Sequence, residues 1–163
     1  YYTWIEYGLQ TIHNKTLEKV NRGETFETFL KSYEATKKRG INVCVHVILG
    51  MWETHEEMMQ TAQKLAELGV DGVKIHMLCA LENTKLAQMY ANKEIDFMSE
   101  DEYINTVCDF LEYLPQNTTI HRLAGNGLKK ELIAPRWIGK KLDCLNKIDK
   151  ELLRRNSYQG SKF

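Results

Sequence analysis

The sequence predicts an α/β fold: a parallel barrel or half-barrel whose interior takes up a ligand. Three observations carry this reading: strands with period-two alternation, a helical segment after each strand, and one polar side on every strand. In residues 4–10, Ile5, Tyr7 and Leu9 form one face and Glu6, Gly8 and Gln10 the other. In residues 42–50, Val43, Val45, Val47 and Leu49 oppose Asn42, Cys44, His46, Ile48 and Gly50. In residues 73–78, Val73, Ile75 and Met77 oppose Lys74, His76 and Leu78. Successive side chains alternate across a strand. A helix after each strand makes the strands parallel and gives their apolar side something to pack on. A doubly wound sheet, covered on both faces, reads instead as continuous apolar runs. The polar side therefore faces a lumen.

Taken in order, strand 3–11 is followed by helical sequence over 14–21 and 25–39. Gly40 ends the second helix, and strand 42–50 starts at once. Thr54 caps the next helix, with Glu56 and Glu57 in its first turn to complement the dipole. Met58, Ala62, Leu65, Ala66 and Leu68 supply its buried stripe. Gly69 ends it, and Asp71-Gly72 turns into the third strand. Gly40 and Gly69 both suit a left-handed helix terminus. Residues 80–98 are irregular or weakly helical. Ser99 caps a helix to Leu114, with Glu102 completing a capping box, and Pro115 stops it. Residues 118–123 are strand-like, Gly125-Asn126-Gly127 is a turn, and 139–155 is a basic helix with Leu142, Leu145, Ile148 and Leu152 on one stripe. Residues 157–163 are expected to fray. Two parts follow: 1–114, the barrel piece, and 115–163, a basic extension packed on it.

The 163 residues, 43% hydrophobic and 27% charged, are those of an ordinary globular domain with a real core. No apolar run approaches the roughly 20 residues of a membrane span. Cys44, Cys79, Cys108 and Cys144 are widely spaced, with no CxxC, so no metal site is expected from this chain alone. Reduced thiols and a cytoplasmic location are expected. The zero net charge hides an asymmetry: residues 1–114 carry 11 Lys+Arg and 18 Asp+Glu, residues 115–163 carry 11 and 4, so the halves stand at −7 and +7. A basic segment of this kind points to a polyanionic partner, with Lys129, Lys130, Arg136, Lys140, Lys141, Arg154 and Arg155 on its phosphates. The plainer alternative is a basic helix lying against an acidic body.

Ligands of parallel βα architectures gather at the carboxyl ends of the strands. Gln10 there offers donor and acceptor, Gly50 lets backbone approach a ligand closely, and Glu53 can orient a loop or accept a hydrogen bond. His46, Lys74 and His76 share the polar sides of neighbouring strands. The alternative for them is a set of internal ion pairs, such as Glu6 with Lys74. His13, His121, Arg122 and Trp137 are further substrate-side candidates, although a tryptophan beside a proline such as Pro135 more often serves packing.

Tyr7-Gly8-Leu9-Gln10-Thr11 followed by Asn21-Arg22-Gly23 resembles the fourth βα unit of radical S-adenosylmethionine (SAM) enzymes. Val47-Ile48-Leu49-Gly50-Met51-Trp52-Glu53-Thr54 resembles their fifth-strand motif, GxIxGxxE, with His46 at the first glycine. Gly69-Val70-Asp71-Gly72-Val73-Lys74-Ile75-His76 is similar to their sixth strand. With Ile120-His121-Arg122-Leu123, Leu132-Ile133-Ala134-Pro135-Arg136-Trp137 and Tyr158-Gln159-Gly160, the whole chain resembles the YhcC/YtqA-like group of that superfamily.

The resemblance implies a partial (β/α) barrel, this chain holding the last three βα units of a six-stranded half-barrel plus an α/β C-terminal extension. It implies SAM and a [4Fe–4S] cluster as cofactors, the cluster ligands lying upstream in a missing N-terminal half. It implies reductive cleavage of SAM to a 5′-deoxyadenosyl radical, an oxidoreductase-type chemistry acting in tRNA modification. By the same resemblance Gln10, Arg22, His46, Ile48, Gly50 and Glu53 are SAM-side residues, Arg22 meeting the carboxylate. The fragment alone is expected to be inactive and to self-associate through its open edges. The other functional reading is a non-catalytic module that binds RNA or a protein partner on a barrel-like scaffold.

Overall fold

The computed structural model describes residues 3–125 and 130–163. Along the chain run β1 (Trp4–Gln10), α1 (Asn14–Lys19), α2 (Phe26–Lys37), β2 (Asn42–Leu49), α3 (His55–Leu68), β3 (Gly72–Met77), β4 (Ala80–Leu81), α4 (Lys85–Ala91), α5 (Glu100–Tyr113), β5 (Thr119–Arg122), β6 (Leu132–Ala134), a 3-10 turn (Arg136–Gly139) and α6 (Lys141–Arg154). β1, β2, β3 and β5 form one sheet in that order, every neighbouring pair parallel.

The alternation sets the layers. Val43, Val45, Val47, Leu49, Val73, Ile75 and Met77 are all buried, packed with Phe29 of α2, Leu65 of α3 and Phe110 of α5. The opposite side of the sheet carries Glu6, which is exposed, and His46, Lys74 and His76, which are half-buried. Helix boundaries follow their caps. Thr54 and Ser99 each close a capping box, with Glu57 and Glu102. Gly40 and Gly69 stand at φ +69° and +65°, where a side chain would be strained.

Four features differ from the sequence reading. First, β5 is a fourth parallel strand on β3, so the sheet takes in part of the segment after residue 114. Second, β4 and β6 form an antiparallel pair beyond the carboxyl end of β3. They are two and three residues long, too short to show a period. Third, Leu142 is 77% exposed, whereas Cys144 and Ile148 are buried. At 100° per residue, Leu142 lies about 120° from Ile148 around the helix, off the stripe. Fourth, the tail does not fray. Gly160 N donates to Leu111 O (3.1 Å) and Lys162 N to Glu112 O (2.8 Å). Gln159 Nε2 donates to Pro115 O and Thr118 O (2.6 and 2.8 Å). The tail adds donors to carbonyls in the last turn of α5 and just beyond it.

The turn expected at Gly125-Asn126-Gly127 runs into residues outside the described ones, and Lys129 lies outside them too. Among the described residues no helix is long and apolar enough to cross a membrane.

Candidate functional site

The lumen side of the sheet is built in three levels. At its floor, the Trp4 and His121 rings meet edge to face, centroids 4.6 Å apart, although they stand on the two outer strands of the sheet. Three strand spacings separate those backbones by about 14 Å in a flat sheet. Curl and long side chains close the gap, and Gly72 makes the room. A Cβ on Gly72 would stand 2.6 Å from His121 Nε2 and 2.9 Å from the Trp4 ring. Cys44 is fully buried at this level, and burial pushes its thiol up to about 11.

The middle level is ionic. Glu6 Oε2 lies 2.8 Å from His46 Nε2, and both Glu6 oxygens accept from Lys74 Nζ. Those hydrogen bonds, Lys74 first, hold the Glu6 carboxyl below its usual range. The internal ion pair weighed from sequence is therefore present. Register places His46 beside Lys74 and Lys74 beside Arg122 on three successive strands. β5 carries one extra residue between Ile120 and Arg122 relative to β3, a bulge that realigns its side chains.

Above lie Gln10, Ile48 and His76. The His76 ring stacks on His46, centroids 5.5 Å apart. Burial, then Arg122, His46 and Lys74, push its pKa down to about 4. Its Nε2 is buried without a hydrogen-bond partner among the described residues. Gln10 has φ +74°, a conformation that costs a non-glycine residue, and β1 slips register there: Tyr7 pairs with Val45 but Gln10 with Val47. The slip folds the Gln10 amide back over Gly8, where a Cβ would stand 2.8 Å from Gln10 Nε2 and 3.5 Å from an Arg22 nitrogen. Arg22 Nε and a terminal nitrogen of its guanidinium donate to Gly8 O at 3.2 and 2.9 Å, and the guanidinium pairs with Glu24 at 3.4 Å. Strained backbone and bulges concentrate at functional sites. No local sequence pattern encodes the strain at Gln10.

The remaining candidates lie elsewhere. Gly50 (φ +86°) is roofed by Met98, whose sulfur stands 3.2 Å from the position of a Cβ. Glu53 accepts from Thr11 Oγ1 at 2.6 Å and ties the loop after β2 to the loop after β1. Burial raises its pKa. His13 Nε2 engages Glu57 O at 2.9 Å, away from the lumen. Trp137 donates to Met98 O at 3.2 Å and packs on Tyr103, the packing role weighed from sequence. Among the described residues the four cysteines are unpaired, and no three His, Cys, Asp or Glu side chains converge in a metal-holding group.

The expected cofactor can be tested against this surface. A zwitterionic nucleoside asks for a cation at its carboxylate, amide groups for its polar atoms and an apolar strip for its base. Arg22, Gln10 and Ile48 supply these, and the orphaned His76 Nε2 leaves one polar group to be satisfied by something bound. The residues fit.

An open, parallel half-barrel with a polar lumen and strained strand ends defines a ligand-holding βα scaffold. Comparison with known proteins makes that class specific. The Radical_SAM C-terminal domain matches residues 70–154, and the Radical SAM superfamily matches residues 1–65. The chain belongs to the radical SAM superfamily. It is 40% identical to the protein YtqA of Bacillus subtilis over 163 residues, covering 99% of this chain and 51% of that protein. It is 30% identical to YhcC of Escherichia coli K12, covering 99% of this chain and 52% of that protein. The chain thus spans about half the length of these curated relatives. A tRNA uridine(34) acetyltransferase of Methanocaldococcus jannaschii is 30% identical over 118 residues, which are 70% of this chain and 22% of that protein. The fold matches Methanocaldococcus infernus Elp3 with an N-terminal deletion at TM-score 0.82 and 21% identity, over 96% of this chain and 37% of that one.

Proposed function

We propose that the protein containing this chain is a radical SAM enzyme, with this chain forming one side of the cofactor lumen and the cluster ligands supplied outside it. The observation that carries the reading is the convergence of Gln10, Arg22 and the Glu6–His46–Lys74 group on one open face of a parallel half-barrel, in a member of that superfamily. When bound, SAM and a [4Fe–4S] cluster supply reductive cleavage of a carbon–sulfur bond and hydrogen-atom abstraction. The chain's own residues bind and orient. Arg22 offers a guanidinium to the carboxylate, Gln10 an amide, and Ile48 an apolar surface. Glu6 holds His46 and Lys74 in place. The helix-covered back of the sheet keeps water from that side of the reacting centre.

We propose tRNA as the substrate. Support comes from the relative named as a tRNA uridine(34) acetyltransferase and from the +7 segment. Not every cation of that segment is available. Arg155 binds Asp109 and Glu151 at 2.7 Å each, and Arg154 binds Glu151 at 2.8 Å. Lys130, Arg136, Lys140 and Lys141 form no ion pair among the described residues, so they are the ones assigned to phosphates.

The test is full-length protein with reconstituted iron and sulfide under a strong reductant, assayed for 5′-deoxyadenosine and methionine. Formation of both is expected, together with tRNA binding that weakens steeply with salt. An intact cluster that leaves SAM uncleaved overturns the enzyme reading, and salt-independent tRNA affinity overturns the substrate.

A further inference from the structure

We propose that Trp52 and Lys19 form a platform at the mouth of the lumen, on which an unpaired base of the RNA stacks. The inference deepens the tRNA reading above and rests on it for the class of ligand.

The backbone at Trp52 is the first observation. Trp52 stands in the loop at the carboxyl end of β2 with φ +53°. Among the described residues Asn21, Asn83 and Asn156 also take positive φ, which asparagine tolerates, and Trp52 is the one aromatic residue there. A bulky side chain persists in that conformation only where its surroundings hold it. Here both neighbours are anchored inward: Met51 is buried, and Glu53 accepts from Thr11 Oγ1 at 2.6 Å. The indole between them stays half-buried. Glycine would fit this backbone without strain, so the ring is kept against the preference of the chain, on the side of the sheet where ligands of βα folds gather.

What covers the ring points to its occupant. Lys19 Nζ lies over it, 4.8 Å from the centroid. Lys19 is the last residue of α1, is exposed, and pairs with no carboxylate among the described residues. One face of the indole is thus closed by a single flexible cationic tip. An exposed cation–π contact is weaker than a stacked nucleobase. The base displaces the tip, and the freed ammonium meets the phosphate beside it. Basic groups continue along the same rim. Met98 reaches over Gly50, two residues before Trp52, and Trp137 Nε1 donates to Met98 O at 3.2 Å. Exposed Arg136 and Lys140 lie next to Trp137 in the chain and form no ion pair among the described residues. An aromatic face bordered by free cations is what a single strand of nucleic acid requires: a surface for the base and charge for its phosphates. The other two tryptophans are already engaged, Trp4 on His121 and Trp137 on Tyr103.

The experiment titrates full-length protein with a short single-stranded oligoribonucleotide carrying 2-aminopurine, whose fluorescence falls when it stacks, and then competes it with unmodified tRNA. It compares wild type, Trp52→Phe, Trp52→Leu, Trp52→Gly, Lys19→Gln and the exposed control Lys31→Gln. Wild type, Trp52→Phe and Lys31→Gln should bind and quench. Trp52→Leu should lose the quench and bind about tenfold more weakly, the worth of one stacked base. Lys19→Gln should keep the quench and lower the salt slope by about one phosphate contact. Trp52→Gly separates function from support, since it relieves the backbone while removing the ring: binding should fall as in Trp52→Leu, with a urea midpoint close to that of wild type. A midpoint far below wild type makes Trp52 a structural anchor and overturns the platform. So does a wild type that binds without quenching, a readout that needs no variant to fold. Equal affinity and quench in wild type and Trp52→Leu overturn it too. Displacement of the oligoribonucleotide by tRNA supports both readings. A Trp52-dependent quench that tRNA does not displace sinks tRNA as substrate and keeps the platform. Salt-sensitive tRNA binding that ignores every Trp52 variant sinks the platform alone.

Discussion

The molecule holds two charge clusters built on opposite principles. Between α5 and α6, Lys147, Arg154, Arg155 and Lys162 meet Glu100, Asp109, Glu112, Asp143 and Glu151. Every cation there has a carboxylate, and Arg155 and Glu112 keep only 19% and 4% of their side chains exposed. In the lumen, Lys74 and His46 engage Glu6, whose side chain is 43% exposed, and Arg122 and His76 engage no carboxylate among the described residues. The first cluster leaves no cation unpaired and serves to bind helix to helix. The second holds more basic side chains than carboxylates among the described residues.

The largest effect should come from the balanced cluster. Arg155→Leu strands Asp109, which loses its 2.7 Å partner, while Glu112 keeps Lys162. Removing one member of a buried pair costs about 3–5 kcal/mol, and solvent at this edge reduces that to about 2–3 kcal/mol. Urea unfolding followed by circular dichroism measures it. A loss under about 1 kcal/mol would mean that Lys162 and water replace Arg155, and that the network is not structural.

Acid should separate the two clusters by pH window. His76 titrates at about 4 in the folded chain against 6.5 as a free group. Between those values the unfolded chain binds the extra proton, so stability falls as pH drops from 6.5 toward 4. Glu151, held down to about 2 by its hydrogen bonds to Arg154 and Arg155, contributes stability above 4.5 that is lost as pH falls toward 2. His76→Phe should flatten the upper window and leave the lower one alone, read as midpoint temperature against pH. An upper window unchanged by the substitution would assign that slope to another group.

The contrast also explains what the sequence could tell. The alternation of 42–49 and the capping residues Thr54 and Ser99 are local, and they were legible. So was the shared face of Glu6, His46 and Lys74, since period two fixes it. The plainer reading of the basic segment, a helix lying against an acidic body, describes α6 on α5 well. Other features depend on distant partners. That β5 would join β3, and that its bulge would set Arg122 beside Lys74, is decided by pairing across residues 72–74 and 119–122. The docked tail depends on long-range hydrogen bonds to carbonyls in the last turn of α5 and just beyond it, which have no sequence signature. Residue type near a motif points to Glu53 and Trp137, but their hydrogen bonds to Thr11 and Met98 are long-range and have no local signature.

The smallest stability effect should be Lys74→Met, and it carries the comparison's sharpest edge. The substitution removes the principal partner of Glu6, so by count it resembles Arg155→Leu. The surroundings differ. Glu6 is open to water and keeps His46 Nε2 at 2.8 Å, so its carboxylate is resolvated rather than stranded. Lys74 also stands between His46 and Arg122, and its removal relieves repulsion along the row. The two changes oppose each other, and a net shift within about 1 kcal/mol is expected in the same urea assay. A loss as large as that of Arg155→Leu would make the lumen cluster a structural brace, and its surplus charge would no longer mark a binding surface.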